Sequence, residues 1–374
     1  MTPIYLDNAS TTQPDPRVLA AMAPYSSEHF GNPAATHAHG RTAARAVERA
    51  RGILADALAA QPEEIVFCSG GTEANNFAIL GTAWAAPAGK RHLVVSAIEH
   101  ASVLAPCAWL ETQGWQVTRL PVDSEGFVDP GDVRRALRPE TVLVSVGQAN
   151  NEIGTLQPIA AIAAICAEQG VPLHSDACQS FTRMPPPPAD LIVVNAHKIH
   201  GPKGIGALRI RTGLHLEPLL RGGGQESGLR AGTLNTPGIA GLGSAVTLGS
   251  TEESIAIAKL RDDLAAMVLD AIPGARLNGP RGNRLCTNLN VCLPGCSGRA
   301  LVAALDRLGV RASRGSACAS GSTRPSHVLT ALGLSPQDAD SSLRLTLSKW
   351  TTTEEIANAT AALQEAVRTL RSHP

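Results

Sequence analysis

The chain has 374 residues, 44% of them hydrophobic, which is enough to bury one large core or two unequal ones. Basic and acidic residues both number 32, so the formal net charge is zero and no overall positive field favours nucleic acid or an anionic membrane. The opening residues contain no basic segment followed by a long apolar run, and we expect a cytoplasmic protein that acts on a small molecule or a protein partner.

Short β-branched runs alternate with helical segments from about residue 64 onward. The predicted strands are 65–69, 92–97, 141–146, 172–177, 191–196 and 205–210. Between them, residues 158–169 carry apolar side chains at helical spacing, and Gly170 is expected to end that helix. The alternation indicates an α/β fold with a mostly parallel sheet between helices.

The sequence changes character near residue 250, after a glycine-rich connection. A long helix is predicted over 252–271, and a last helix after Thr352, where Glu355 completes a capping box. We therefore expect a large α/β domain over 16–250 and a smaller α+β domain made of 1–15 and 251–374.

The eight cysteines have neither the paired spacing of a zinc site nor the density of a disulfide-rich domain. Most are expected to be buried free thiols. Cys292 and Cys296 come closest to a pair of metal ligands, but no second pair follows, and we predict no metal site.

Polar residues follow five of the predicted strands, at the edge where ligands bind in an open parallel sheet. They are Gly71 and Thr72; His100; Asn151; Asp176 and Gln179; and Asn195, His197 and Lys198. The glycine turn before Thr72 opens a helix, whose N–H groups suit a phosphate. Neither G-x-G-x-x-G nor Gly-Lys-Ser/Thr is present, so the pattern indicates neither a nicotinamide dinucleotide nor a nucleoside triphosphate. A phosphate site, a flat side chain, an acid and a lysine together favour pyridoxal 5′-phosphate (PLP) as cofactor.

Each of these residue types suits one part of PLP. Lys198 can bond to the cofactor covalently and later act as a base at the substrate α-carbon. Asp176 can lie against the pyridine nitrogen and keep it protonated. Gln179 can bind the phenolic oxygen, and His100 can stack on the ring and shuttle protons. The residues left for the phosphate are Gly71, Thr72 and His197.

The chain resembles the cysteine desulfurases, PLP enzymes of fold type I in the class-V aminotransferase superfamily, over nearly its whole length. The matching blocks are YLDNASTT (5–12), FGNPAATH (30–37), SGGTEANN (69–76), EH (99–100), NNEIG (150–154), DACQS (176–180), HKIHGPKGIGAL (197–208), GGGQESGLRAGT (222–233), GSAC (315–318) and SLRLTLSKWTT (342–352). The resemblance implies a seven-stranded type of sheet and an enzyme that converts L-cysteine to L-alanine.

The resemblance also implies roles that the pattern of strands does not give. Asn151 would lie beside the cofactor and the substrate, and Arg344 would grip the substrate carboxylate with two hydrogen bonds. Thr233 would reach the cofactor phosphate of the neighbouring subunit in a homodimer. Cys318 would receive the sulfur as a persulfide.

Cys318 lies in a stretch rich in Gly and Ser, which we expect to be a mobile, exposed loop. Arg314 and Arg324 nearby would favour its thiolate, the nucleophilic form. The length of the segment after Cys318 resembles the long-loop branch of the family (group I), whose members pass sulfur to scaffold or thiolation proteins.

One position departs from the family pattern, because Asn195 stands where a serine usually contributes a hydroxyl to the phosphate. An amide can still donate a hydrogen bond there. Selenocysteine as the substrate stays an alternative, as does another class-V lyase or aminotransferase, which would keep Lys198, Asp176 and Arg344 without needing Cys318. A non-catalytic docking protein for sulfur-transfer partners is a third.

Overall fold

The structure, a computed structural model, describes residues 3–315 and 325–372. In chain order its strands are β1 (Ile4–Tyr5), β2 (Ile65–Cys68), β3 (His92–Ser96), β4 (Gln116–Leu120), β5 (Thr141–Ser145), β6 (Leu173–Asp176), β7 (Leu191–Asn195), β8 (Gly206–Ile210), β9 (Arg276–Leu277), β10 (Asn288–Cys292), β11 (Val310–Arg311) and β12 (Ser342–Thr346). The α-helices are α1 (Pro16–Ser26), α2 (Ala38–Ala57), α3 (Gly71–Ala85), α4 (Ala101–Thr112), α5 (Pro130–Ala136), α6 (Ile159–Glu168), α7 (Thr236–Thr247), α8 (Thr251–Ala271), α9 (Gly298–Arg307), α10 (His327–Ala331), α11 (Pro336–Asp340) and α12 (Thr353–Ser372).

Seven strands form the large sheet, in the order β2-β8-β7-β6-β5-β3-β4. All of its pairings are parallel except those of β8, which is antiparallel to both β2 and β7. The six predicted strands are confirmed, each within about one residue at its ends. The edge strand β4 was not predicted, because its sequence QVTRL is mostly polar and buries only its last residue.

The large sheet separates two apolar layers, because neighbouring side chains on a strand point to opposite faces. In β7, Ile192 and Val194 pack with Val47 and Leu54 of α2, whereas Leu191 and Val193 belong to the cluster on the opposite face. That second cluster includes side chains of α3 and α4. Helices on both faces explain why the central strands read as unbroken apolar runs.

A smaller antiparallel sheet, β12-β10-β9, packs with α8, α9 and α12 around a separate apolar cluster. Among the described residues, that cluster includes Leu6 but no member from 16–250. The predicted capping box of α12 is confirmed, since the Thr352 N–H donates to Glu355 (2.9 Å) and the Glu355 N–H to the Thr352 hydroxyl (3.1 Å). Separate clusters support the division proposed near residue 250, which stays a prediction.

The segment from β1 to Thr12 joins the two parts of the molecule. Strand β1 pairs in parallel with β11, and Asn8 Nδ2 donates to the Thr346 carbonyl oxygen of β12 at 2.8 Å. A few residues on, the Thr12 N–H donates to the His197 carbonyl oxygen at 2.8 Å, directly after β7. Within the described ranges, no helix is long and apolar enough to cross a membrane.

Candidate active site

A cavity of about 280 Å³ lies at the carboxyl ends of β5, β6 and β7. This volume is close to the lower limit of small-molecule sites, roughly 300–1,000 Å³, and suits a ligand the size of one cofactor. The predicted site residues that line it are Gly71, Thr72, His100, Asn151, Asp176, Gln179, Asn195, His197, Lys198 and Arg344. Thr233 is exposed and does not line it, and Cys318 lies outside the described residues.

One wall of the cavity is the start of α3. The helix begins at Gly71, and its N-cap residue Gly70 supplies no side-chain acceptor for the first N–H groups. A Cβ on Gly71 would lie 2.8 Å from the Cys178 sulfur, so a residue with a side chain would not fit without a shift. The helix N-terminus, with the Thr72 hydroxyl beside it, therefore offers an anion site with space at the backbone.

Lys198 lies in the turn after β7, and its ammonium donates to the Ala9 carbonyl oxygen. Burial, together with the nearby Arg344 guanidinium, lowers the pKa of Lys198 to about 8, against the opposing charges of Asp176 and Asp7. The turn itself is held by Arg183, which donates to the Lys198 carbonyl oxygen at 2.7 Å. A buried amine of lowered pKa is suited to attack an aldehyde and to take up a proton.

Asp176 is the last residue of β6, and Gln179 follows it three residues later. The Asp176 carboxylate accepts from the Cys178 N–H at 2.9 Å and from Asn75 Nδ2 at 2.7 Å. Gln179 donates to the Ala9 carbonyl oxygen at 3.0 Å, the same oxygen that Lys198 contacts. The Ala9 carbonyl oxygen therefore links the turn after Asp176 to Lys198, the predicted base.

Arg344 is 1% exposed and lies on strand β12, at one edge of the small sheet. Its Nη2 donates to Asp7 (2.8 Å) and to the Ser10 hydroxyl (2.9 Å), and its Nη1 donates to the Asn151 carbonyl oxygen (3.1 Å). Among the described residues, its buried Nε has no hydrogen-bond partner. An arginine at the cavity wall with one open N–H is suited to bind a carboxylate.

Two predicted phosphate ligands differ in how they are held. His197 Nδ1 lies 3.2 Å from the Thr11 hydroxyl, and burial, with Lys198 and Lys203 nearby, lowers the pKa of His197 to about 4. A neutral imidazole still donates through one ring nitrogen. Asn195 is buried at the end of β7, and its Oδ1 has no partner among the described residues.

Five buried polar residues that line the cavity were not predicted: Asn75, Glu99, Ser102, Asn150 and Gln157. Buried His174 does not line the cavity, but its Nε2 lies 3.1 Å from Asn75 Oδ1. His174 and Asp176 are alternate residues of β6 and so share a face of the strand, a signal that was present in the sequence. Glu99 accepts from the Gly147 N–H at 2.9 Å, and burial raises its pKa to about 8. The contacts of Asn75 and Ser102 join distant elements, which no local pattern indicates.

These residues fit PLP by the chemistry of their donors. The start of α3, with its close approach at Gly71, provides an anion site; Lys198 provides an amine of lowered pKa; and Asp176 provides a carboxylate. All three line one cavity.

The segment that carries Thr233 is fastened to α2 and α3 by two ion pairs and to β2 by a hydrogen bond. Glu226, which has φ +47°, accepts from Arg51 at 2.7 Å and from the Phe67 N–H at 2.7 Å. Arg230 donates to Glu73 in the first turn of α3 at 2.9 Å. The segment is therefore anchored beside the proposed phosphate site while Thr233 itself faces solvent.

The thiols of the described residues are all free, and only Cys286 among them is not fully buried. Desolvation raises the pKa of each of these seven thiols. Within the described part of the chain, no group of three His, Cys, Asp or Glu side chains has the arrangement of a metal site. Arg314, expected beside Cys318, forms an ion pair with Asp340 at 2.8 Å.

A family model and two named relatives match nearly the whole chain. The class-V aminotransferase family model matches residues 4–358. Cysteine desulfurase IscS of Dictyoglomus turgidum is 43% identical, covering 99% of this chain and 95% of that protein. IscS of Methanosarcina thermophila is 44% identical, covering 99% of this chain and 93% of that protein.

Solved structures are similar over the same length. A NifS-like protein is 33% identical with a TM-score of 0.93, covering 98% of this chain and all of that one. A structure described as SspA in complex with cysteine is 38% identical with a TM-score of 0.84, covering 93% of this chain and all of that one.

Proposed function

The chain belongs to the class-V aminotransferase family and is a PLP-dependent cysteine desulfurase, and on this basis we propose which of its residues carry the reaction. The observation that supports the assignment best is one buried cavity shared by Lys198, Asp176, His100 and Arg344. The start of α3 forms its anion-binding wall.

Arg344 and Asn151 bind and orient the substrate L-cysteine. The guanidinium grips the carboxylate, for which the open Nε–H is available, and Asn151 lines the same wall of the cavity. Gly71, Thr72, Asn195 and His197 hold the cofactor phosphate, with Thr233 of the neighbouring subunit. PLP, when bound, withdraws electrons from the substrate α-carbon.

Lys198 would hold the cofactor covalently, and as a free amine its Nζ would take the substrate α-proton, which its lowered pKa permits near neutral pH. Asp176 keeps the cofactor ring nitrogen protonated, and Gln179 binds the phenolic oxygen. His100, at the N-cap of α4, lies at the same cavity, where it would stack on the cofactor ring and shuttle protons.

Cys318 completes the reaction as the nucleophile. Its thiolate attacks the substrate sulfur, so that an S–S bond forms and the C–S bond breaks. The electron pair of that bond stays with the substrate carbon, which takes up a proton and leaves as L-alanine. The raised pKa of each described thiol supports this assignment, because none of the seven is disposed to ionise.

We further propose that the enzyme acts as a cytoplasmic homodimer and passes the persulfide sulfur to an acceptor protein, a scaffold or thiolation protein of iron–sulfur cluster assembly or a related pathway. The relatives named cysteine desulfurase IscS support the part of this proposal that concerns sulfur transfer.

The test is incubation of the purified protein with L-cysteine, with measurement of alanine and protein-bound persulfide. Cys318→Ser should still bind PLP and respond spectrally to L-cysteine but should form neither sustained alanine nor persulfide. The matched control is Cys286→Ser, the least buried of the described thiols, which should react at the wild-type rate. Undiminished desulfuration by Cys318→Ser would mean that sulfur leaves by direct elimination, as in a lyase.

A further inference from the structure

A chain of hydrogen bonds crosses the protein beside the cavity, from β5 to α4. The Ser145 hydroxyl lies 2.8 Å from His174 Nδ1, and His174 Nε2 lies 3.1 Å from Asn75 Oδ1. Asn75 Nδ2 then donates both to Asp176 (2.7 Å) and to the Ser102 hydroxyl (2.8 Å). All of these side chains except Asp176 are fully buried, and Asn75 is 1% exposed.

The direction of each bond in this chain follows from the chemistry of its groups. Asn75 Oδ1 can only accept, so His174 carries its proton on Nε2 and accepts from Ser145 at Nδ1. Burial lowers the pKa of His174, which agrees with a neutral ring. The two N–H bonds of Asn75 are then both used, one by Asp176 and one by Ser102.

The same reasoning extends to His100. The Ser102 N–H donates to His100 Nδ1 at 3.1 Å, and the Ser102 hydroxyl oxygen lies 2.7 Å from that nitrogen. The backbone N–H can only donate, so Nδ1 has no proton of its own, and the Ser102 hydroxyl, which accepts from Asn75, donates its proton to His100 Nδ1. His100 Nδ1 is therefore an acceptor, and the ring carries its proton on Nε2.

We propose that Asn75 is a positioning residue that orients two groups of the site together: it holds the Asp176 carboxylate through one N–H, and through Ser102 it keeps His100 in the form protonated at Nε2. The proposal rests on the assignments under Proposed function and deepens them. In this form Nε2 of His100 carries the ring proton and is the atom from which His100 can donate. Asp176 meanwhile cannot rotate without leaving a buried N–H unpaired.

Asn75→Asp tests the first half of the proposal. The change replaces two donors with a carboxylate beside Asp176, and two carboxylates at that distance share a proton instead of both ionising. The matched control is Asn76→Asp, the same change on the next residue of α3, where the side chain is only partly buried and donates to the backbone carbonyl oxygens of Thr72 (2.9 Å) and Ser102 (3.3 Å) but to no side chain of the proposed chain.

Two readouts on the purified holoenzyme decide the outcome: PLP affinity and the pH titration of the bound chromophore's absorbance. We expect Asn75→Asp to weaken PLP affinity by about tenfold or more and to move the titration midpoint by about one pH unit. Asn76→Asp should stay within about twofold of the wild-type affinity. The groups around Asp176 that could also titrate, His100, His174, Cys178, Lys198 and Glu99, are the same in both variants.

Equal behaviour of the two variants would overturn the role of Asn75 while leaving the proposed function intact. A wild-type protein that binds no PLP would instead contradict the proposed function itself.

The His100 half is tested by ¹⁵N NMR of histidine-labelled holoenzyme, with His100→Gln to assign the signal. We expect a pyridine-type Nδ1 and a pyrrole-type Nε2 in the wild type, and a weaker preference with a shifted Nδ1 signal in Ser102→Ala, which removes the hydroxyl donor and keeps the backbone donor. A protonated Nδ1 in the wild type, or an unchanged signal in Ser102→Ala, would overturn the proposal. This measurement also decides the matter if Asn75→Asp does not fold.

Discussion

The amine of Lys198 shows how burial alone can prepare a side chain for chemistry. Desolvation lowers its pKa to about 8, so a fraction of the amine on the order of a tenth is neutral near pH 7, far more than for an exposed lysine. Only the neutral amine attacks the PLP aldehyde. Covalent attachment to the apoprotein should therefore become faster as pH rises and level off above about 8, the value set by the folded protein.

Stopped-flow absorbance after mixing apoprotein with PLP between about pH 6 and pH 10 would measure this dependence, with Lys198→Ala as the control that develops no attached chromophore. A rate that keeps increasing with pH beyond about 10, as for an exposed lysine, would contradict it.

Asn195 provides a second residue-level prediction. Its unpaired, buried Oδ1 shows that no described group fixes the amide, which leaves the NH₂ free to serve a bound phosphate. We expect Asn195→Ala to weaken PLP affinity by about 5- to 10-fold, the cost of one hydrogen bond to a charged group, and Asn195→Ser to retain most of it. Spectroscopic titration of apoprotein with PLP measures both. If the alanine variant binds as tightly as the wild type, Asn195 acts as a spacer.

Residues next to strand ends could be predicted because topology alone brings them together. Asp176 and Lys198 each follow a strand, and parallel neighbouring strands end at one edge, so the sequence was sufficient to predict their shared cavity. Asp7 and Asn75 could not be assigned in this way. Their roles depend on contacts with residues 337 and 101 positions away, at Arg344 and Asp176, and no sequence period records such a contact.

At the scale of elements, the connection after β8 depends on one buried ion pair. Glu226 and Ser227 both have positive φ, a costly conformation for residues with side chains, and the Glu226 carboxylate is held by Arg51 and by the Phe67 N–H. Removing its charge would leave Arg51 half paired in a mostly buried place.

We expect Glu226→Gln to lower the free energy of unfolding by about 2–4 kcal/mol, since breaking a buried pair leaves an uncompensated charge. Arg51 also offers a matched control, because its second partner Glu48 is 64% exposed, and Glu48→Gln should cost at most about 0.5–1 kcal/mol. Urea unfolding followed by circular dichroism compares the two. Equal losses would show that the buried pair does not hold the segment.

Elements differ in how well their sequences indicate them. Strands such as β7, buried on both faces, read as continuous apolar runs and were found easily. Strand β4 borders the sheet, exposes Gln116 and Arg119, and carries too little apolar patterning to be recognised alone. Parallel pairing with the neighbouring strand β3 places β4 in the sheet, and this pairing is not visible in the sequence of β4 itself.

At the scale of the whole molecule, the role of Thr233 decides whether each active site is built by one subunit or by two. It is exposed and does not line the cavity of its own chain, which supports its proposed role in the partner subunit. Mixed dimers should reveal this. A dimer of one Lys198→Ala chain and one Thr233→Ala chain would contain one complete site if Thr233 acts across the interface.

Co-expression of the two variants with different tags, followed by purification of the mixed dimer, should therefore give about half of the wild-type activity per dimer, well above either homodimer. No recovery above the Thr233→Ala homodimer would place Thr233 with its own subunit's site or outside the reaction.

The segment from β1 to Thr12 also sets a time order for the synthesis of the protein. Asn8 pairs with Thr346, 338 residues later, and the cavity wall at Ala9 and Ser10 depends on that placement. At about 5–20 residues per second, the ribosome needs roughly 17–70 seconds to make the intervening chain. During that interval the large sheet can form, but Arg344 has not yet been made and cannot pair with Asp7. A newly made chain can therefore become competent to bind its substrate only as the last part of its sequence emerges.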